Sequence, residues 1–168
     1  MATVYHNILP ENAQFLSTAF PQLVKFLGTN FPVTGLAYDA SAADEGAYWK
    51  FPATSYGSGN LTLDIFWYAD TASSGDIIWG AQIAAITPNT DTQDVETKAF
   101  ATAQTALDTH LGTTGQRLHT IPITISNLDS LASNDIVWLK IYRDSDAAGD
   151  TMTGDGILVY ARLSYSDT

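Results

Sequence analysis

Leu61, Leu63, Ile65 and Trp67 take alternate positions of one stretch, and Thr62, Asp64, Phe66 and Tyr68 fill the positions between them. A period of two puts the first set on one side of an extended chain and the second set on the other, which predicts a strand. The alternation returns at 77–86, 118–125, 136–143 and 157–165. Turn formers such as Ser73-Ser74-Gly75-Asp76 and Thr153-Gly154-Asp155-Gly156 separate these stretches. The region from Gly57 onward therefore reads as a succession of strands, and the fold class it predicts is all-β, a jelly-roll sandwich of about eight strands.

Three stretches depart from this rhythm. Residues 1–32 place prolines at 10, 21 and 32 among apolar side chains that keep no sustained period. They read as an extended N-terminal arm or, over 22–27, as a first strand, ahead of a jelly-roll domain at 33–168. An arm that carries Phe15 and Phe20 must lie on its own domain or on a partner, because each large apolar side chain left in water forgoes about 1.5–3 kcal/mol. Residues 95–111 place Val95, Ala99, Ala103 and Leu107 at helical spacing, with Gly112 as a stop. Against a helix stand the β-branched Thr97, Thr102, Thr105 and Thr109, and the hairpin succession needs a strand here, so strand is the expectation. A short helical turn is expected at 127–131, capped by Asn127.

Both faces of two strands carry large side chains. With Val137, Leu139 and Ile141 turned to the core, Trp138, Lys140 and Tyr142 point outward, and Phe66 and Tyr68 oppose Ile65 and Trp67. A sandwich needs one buried face per sheet, so a second apolar face implies a cover. Three readings stand, in this order: a subunit interface, the N-terminal arm, or a sugar platform of aromatic rings. The interface candidates are Phe15, Phe20, Phe66, Tyr68, Trp138 and Tyr142.

Composition narrows the chemistry. A chain of 168 residues, 45% hydrophobic and 15% charged, suffices for one domain with a sizeable core. With 18 acidic against 7 basic side chains the net charge is -11, so no nucleic-acid partner is expected. No apolar stretch reaches the roughly 20 residues that span a bilayer, and the start shows no export signal, so no membrane partner is expected either. There is no cysteine and hence no disulfide framework. His6, His110 and His119 are scattered and no nucleophile motif surrounds them, Gly57-Ser58-Gly59 lacks a phosphate-loop lysine, and no carboxylate pair stands out. No catalytic residue, cofactor or metal is assigned, and the protein is expected not to be an enzyme. Asp144, Asp146, Gly149, Asp150 and Asp155 fall at positions one, three, six, seven and twelve of a calcium-loop frame. Ala148 at position five, an aspartate at twelve and strands on both flanks favour an ordinary hairpin loop that needs no calcium.

Several stretches carry a family resemblance. Leu36-Ala37-Tyr38-Asp39, Asp44-Glu45, Ala47-Tyr48-Trp49-Lys50-Phe51, Ile65-Phe66-Trp67-Tyr68-Ala69 and Gly75-Asp76-Ile77-Ile78-Trp79-Gly80 resemble virion proteins of tailed bacteriophages. Asn127-Leu128, Asn134-Asp135, Leu139-Lys140-Ile141-Tyr142-Arg143-Asp144, Gly154-Asp155 and Leu163-Ser164-Tyr165 extend the resemblance over residues 22–168. It implies a trimeric jelly-roll, either a cement (decoration) protein on the capsid or a module of a tail fibre or baseplate, with no catalytic residue. The chain has no coiled-coil or collagen-like repeat, unlike a full tail fibre. The expectation is therefore a structural protein of the virion that binds as a homotrimer to the major capsid protein on the capsid surface and stabilises the shell. The alternative is a receptor- or glycan-binding tail module.

Overall fold

The computed structural model describes residues 2–41 and 44–168; Met1, Ala42 and Ala43 lie outside the described residues. Ten strands form: β1 (Thr3–Ile8), β2 (Gln22–Phe26), β3 (Val33–Tyr38), β4 (Gly46–Pro52), β5 (Leu61–Ala69), β6 (Asp76–Ile86), β7 (Gln104–Thr109), β8 (His119–Ile125), β9 (Ile136–Arg143) and β10 (Gly156–Ser166). They pair antiparallel throughout, in two sheets. One runs β2-β3-β10-β5-β8, with β1 on the same side of β10 as β3 but farther along it; the other runs β4-β9-β6-β7. From β3 onward the chain passes repeatedly from sheet to sheet, as a jelly roll does.

The period-two pattern is what buries the core. Leu61, Leu63, Ile65 and Trp67 of β5 and Leu158, Ala161 and Leu163 of β10 face Ala81 and Ile83 of β6 and Val137, Leu139 and Ile141 of β9, and all are fully buried or nearly so. Trp79 is the hub: its ring meets Tyr38 edge-on at 5.1 Å and Trp67 at 6.2 Å. In β10 the register shifts between Leu158 and Tyr160, so Val159 is an extra residue and two core side chains lie three positions apart.

The loop from β9 to β10 is held by a buried cation. Arg143 makes a bidentate pair with Asp150, donating Nε to Oδ2 at 2.9 Å and Nη2 to Oδ1 at 2.6 Å. It also donates to the carbonyls of Met152 and Gly154. Five donors in a rigid fork thus order the loop on two sides. Asp150 is therefore a structural partner and does not join Asp144 and Asp146 as the calcium-loop frame would require.

Residues 1–32 hold two strands joined by a segment that lies along the outer edge of β4. There Gln14 and Tyr48 exchange backbone hydrogen bonds at 2.8 and 3.0 Å, and Trp49 donates its indole N–H to the Leu9 carbonyl at 2.9 Å. Two local expectations fail. Only 104–109 of the 95–111 stretch is strand, because residues 87–103 loop out after β6 before rejoining it. No helical turn forms at 127–131, where Asp129 and Ser130 take left-handed conformations.

The outer strand β8 carries Pro122 at its centre, a position tolerated because β5 alone pairs with it. At the start of β8, the buried His119 side chain stacks on Trp67 at 4.4 Å with the His110 ring 4.8 Å away. Neither of its ring nitrogens has a hydrogen-bond partner, and Asp108 stands 3.7 Å off.

Candidate functional site: a groove on the four-stranded sheet

The outward positions of β4, β9 and β6 fall in rows set by strand register. Lys50, Trp138 and Ala84 make one row, Tyr48, Lys140 and Gln82 the next, and Gly46, Tyr142 and Gly80 the third. Tyr142 lies against Gly80, where a methyl group would overlap its ring, and this close approach is why the position carries glycine. The Lys140 ammonium sits 4.7 Å above the same ring.

Two walls convert these rows into a groove of about 560 Å³. On the β4 side the edge segment contributes Gln14, Phe15 and Leu16; on the other, the loop after β6 contributes Val95, Glu96, Lys98 and Phe100. Phe100 reaches across the floor to within 6.0 Å of the Tyr48 ring, and Gln82 ties the loop down by donating to the Ala101 carbonyl at 3.1 Å. A second depression beside Trp49 and Lys50 shares Gln14, Tyr48 and Trp138 with the first. Trp138, Tyr48 and Phe100 are each half-buried. Burial raises the Tyr48 hydroxyl pKa, so it stays protonated as a hydrogen-bond donor.

At the Tyr142 end of the face, carboxylate oxygens of Asp44, Asp144 and Asp146 lie within 4.8 Å of one another. Burial first, then mutual repulsion, raises the pKa of Asp44 and of Asp144, and Lys140 partly offsets this at Asp44. Burial and the same three carboxylates push the Tyr142 hydroxyl up to about 12. Three oxygen donors are of the type that holds a hard divalent cation. Two of the three come from the loop singled out in the sequence, whereas Asp44 arrives from the loop before β4.

The six interface candidates separate onto opposite sides of the molecule. Trp138 and Tyr142 lie on the grooved face, with Phe15 on its wall and Phe20 packed against Phe15 at 5.8 Å. Phe66 and Tyr68 lie on the outer face of the six-stranded sheet, where Phe66 packs on Tyr160 and Tyr68 on Phe26. Tyr68 also lines a separate apolar groove of about 640 Å³ with Leu27, Phe31 and Leu118. Sequence reasoning missed Tyr48, Lys50, Gln82 and Phe100. Alternation within β6 was enough to turn Gln82 outward, whereas Phe100 sits in the stretch read as strand.

No protein-family model and no curated protein matches this chain. Among solved structures it is similar to the carbohydrate-binding module CBM36 in complex with calcium and xylotriose, at 11% identity and a TM-score of 0.50, covering 94% of this chain and 98% of that one. It is also similar to the xylan-binding module CBM15, at 13% identity and a TM-score of 0.48, covering 98% of each chain. A structure of infectious bursal disease virus, Gx strain, matches at 11% identity and a TM-score of 0.42, covering 98% of this chain and 33% of that one. The two-sheet topology together with the likeness to CBM36 establishes a jelly-roll β-sandwich. The resemblance to tailed-phage virion proteins is met at that level of fold, and no phage-specific family is confirmed.

Proposed function

We propose that this domain is a non-catalytic glycan-binding module whose site is the groove on the four-stranded sheet, the reading held above as the alternative to capsid cement. The observation that carries it is the groove floor: half-buried Trp138 and Tyr48 on a rigid sheet, interleaved with the polar ends of Gln82, Lys140 and Lys50. A sugar ring offers an apolar C–H face bordered by hydroxyls, so it needs an aromatic plane with donors and acceptors at its edge. The carbohydrate-binding modules that share the fold support this use of the sandwich. Affinity electrophoresis against a panel of plant and bacterial polysaccharides tests it: retardation by at least one, lost in Trp138→Ala, is expected, and no retardation by any would overturn it.

The virion reading keeps one observation of its own, the apolar groove on the opposite sheet, where Leu27 and Phe31 are 79% and 69% exposed. A second and third copy of this chain seated there would give the homotrimer, and a capsid protein could use the same face. A phage tail module would combine both sites, one for assembly and one for a host glycan. Light scattering at three times the 18.1 kDa chain mass supports assembly on this face; a monomer at micromolar concentration rejects it.

A further inference from the structure

Charge is distributed over this molecule against its own composition. The chain has 18 acidic and 7 basic side chains, four of the latter being lysines. Three of those four, Lys50, Lys98 and Lys140, line the groove and the depression continuous with it, where Glu96 is the sole acidic lining residue among the described residues. Elsewhere Arg143 is buried on Asp150 and Arg162 pairs with Asp64 at 2.9 Å, while Lys25 and Arg117 stand apart from the groove lining. Within the site, Lys98 is held by Asp129 at 2.8 Å. Lys140 is poised over the Tyr142 ring, and Lys50 makes no ion pair among the described residues. Lys50 lies directly across from Trp138, and Lys140 directly across from Tyr48. Both ammonium groups therefore stand beside an aromatic plane, Lys50 by Trp138 and Lys140 by Tyr48 and Tyr142, the latter also within electrostatic reach of Asp44 at the Tyr142 end of the face.

Resting on the glycan-binding reading, we propose that the ligand is an anionic oligosaccharide, its sugar rings stacked on Trp138 and Tyr48 and its carboxylate groups met by Lys50 and Lys140. A net charge of -11 repels a polyanion at long range, so a local cluster of cations is needed for such a ligand to settle at this face and nowhere else. A neutral glycan needs no ammonium groups at all. Lysine, a mobile point charge on a long stem, suits carboxylates that recur along a chain at positions no rigid fork would match.

The test compares oligogalacturonate with neutral xylo- and cello-oligosaccharides of the same length, by calorimetry on the intact protein. Binding at least tenfold tighter to the acidic oligosaccharide is expected, weakening severalfold as salt rises from about 50 to about 500 mM, where screening shortens the reach of exposed charges. Lys50→Gln with Lys140→Gln should erase the preference for the acidic ligand, with the far-UV spectrum and melting curve unchanged. Equal or tighter binding of the neutral oligosaccharides, or no dependence on salt, overturns the inference while leaving the glycan reading standing. Binding of neither class, neutral or acidic, in a folded protein overturns both.

Discussion

The two outer faces of this sandwich are both richer in large side chains than a solvent-facing sheet requires, yet they differ in kind. On the four-stranded sheet the two groove-floor rings each have a polar neighbour across the strand, Trp138 with Lys50 and Tyr48 with Lys140. At one end of the six-stranded sheet the exposed side chains form a contiguous apolar patch, Leu27, Phe31 and Leu118 around Tyr68. The first pattern suits a small polar ligand with an apolar face; the second suits another folded surface. One fold can carry both because its core is complete without either.

The largest expected effect tests that shared core. Arg143→Ala leaves Asp150 buried without its partner and frees the loop between β9 and β10, and should cost about 3–5 kcal/mol in urea unfolding, disabling both faces together. Next, Trp138→Ala should weaken glycan binding by about 30-fold, near 2 kcal/mol, without changing self-association. Its counterpart, Phe31→Ser, should do the reverse, lowering the mass seen by light scattering while leaving glycan affinity intact and stability within about 0.5 kcal/mol. If each variant affected both properties, the separation of the faces would be wrong.

Two smaller effects separate the sheets by pH. Burial lowers the His119 pKa beneath the six-stranded sheet, Asp108 opposing and His110 and Arg117 adding to the shift. Its protonation then favours the unfolded chain. Stability should hold above pH about 6.5 and fall as the solution is acidified below it, and His119→Phe should flatten that fall in thermal melts. Beside the groove the sign is opposite. Asp144 has a raised pKa, so its penalty is present at neutral pH and is relieved as pH drops through the folded value. Asp144→Asn should stabilise by a few tenths of a kcal/mol at pH 7, a gain that vanishes in acid.

Strands were legible wherever one residue in two had to face a core: β9 at 136–143 is bounded as the alternation predicts, and β5 and β6 within a residue. What alternation cannot register is a residue added without a partner, such as Val159, or a loop whose shape depends on what it lands on. The 95–100 stretch has helical spacing, β-branched residues and neither structure, because its apolar side chains find their place on the face of the neighbouring sheet. Part of the site was legible for the same reason: Trp138 and Lys140 follow from strand parity in β9, whereas Tyr48 lies in a stretch where no alternation was read, and the approach of Asp44 to Asp144, or of Phe100 to Tyr48, depends on contacts between distant parts of the chain.

Pro122 bears on how this protein behaves when crowded. With Ile121, Ile123 and Ile125 around it, β8 has the β-branched composition that recruits further strands, and it ends its sheet with no neighbour beyond. A proline at the middle of that row has no N–H to offer a newcomer and a ring in the way, so edge-to-edge stacking is interrupted at its centre. Pro122→Thr is therefore expected to promote edge-to-edge association at high concentration without loss of the fold, read as a rise in light scattering at an unchanged melting curve.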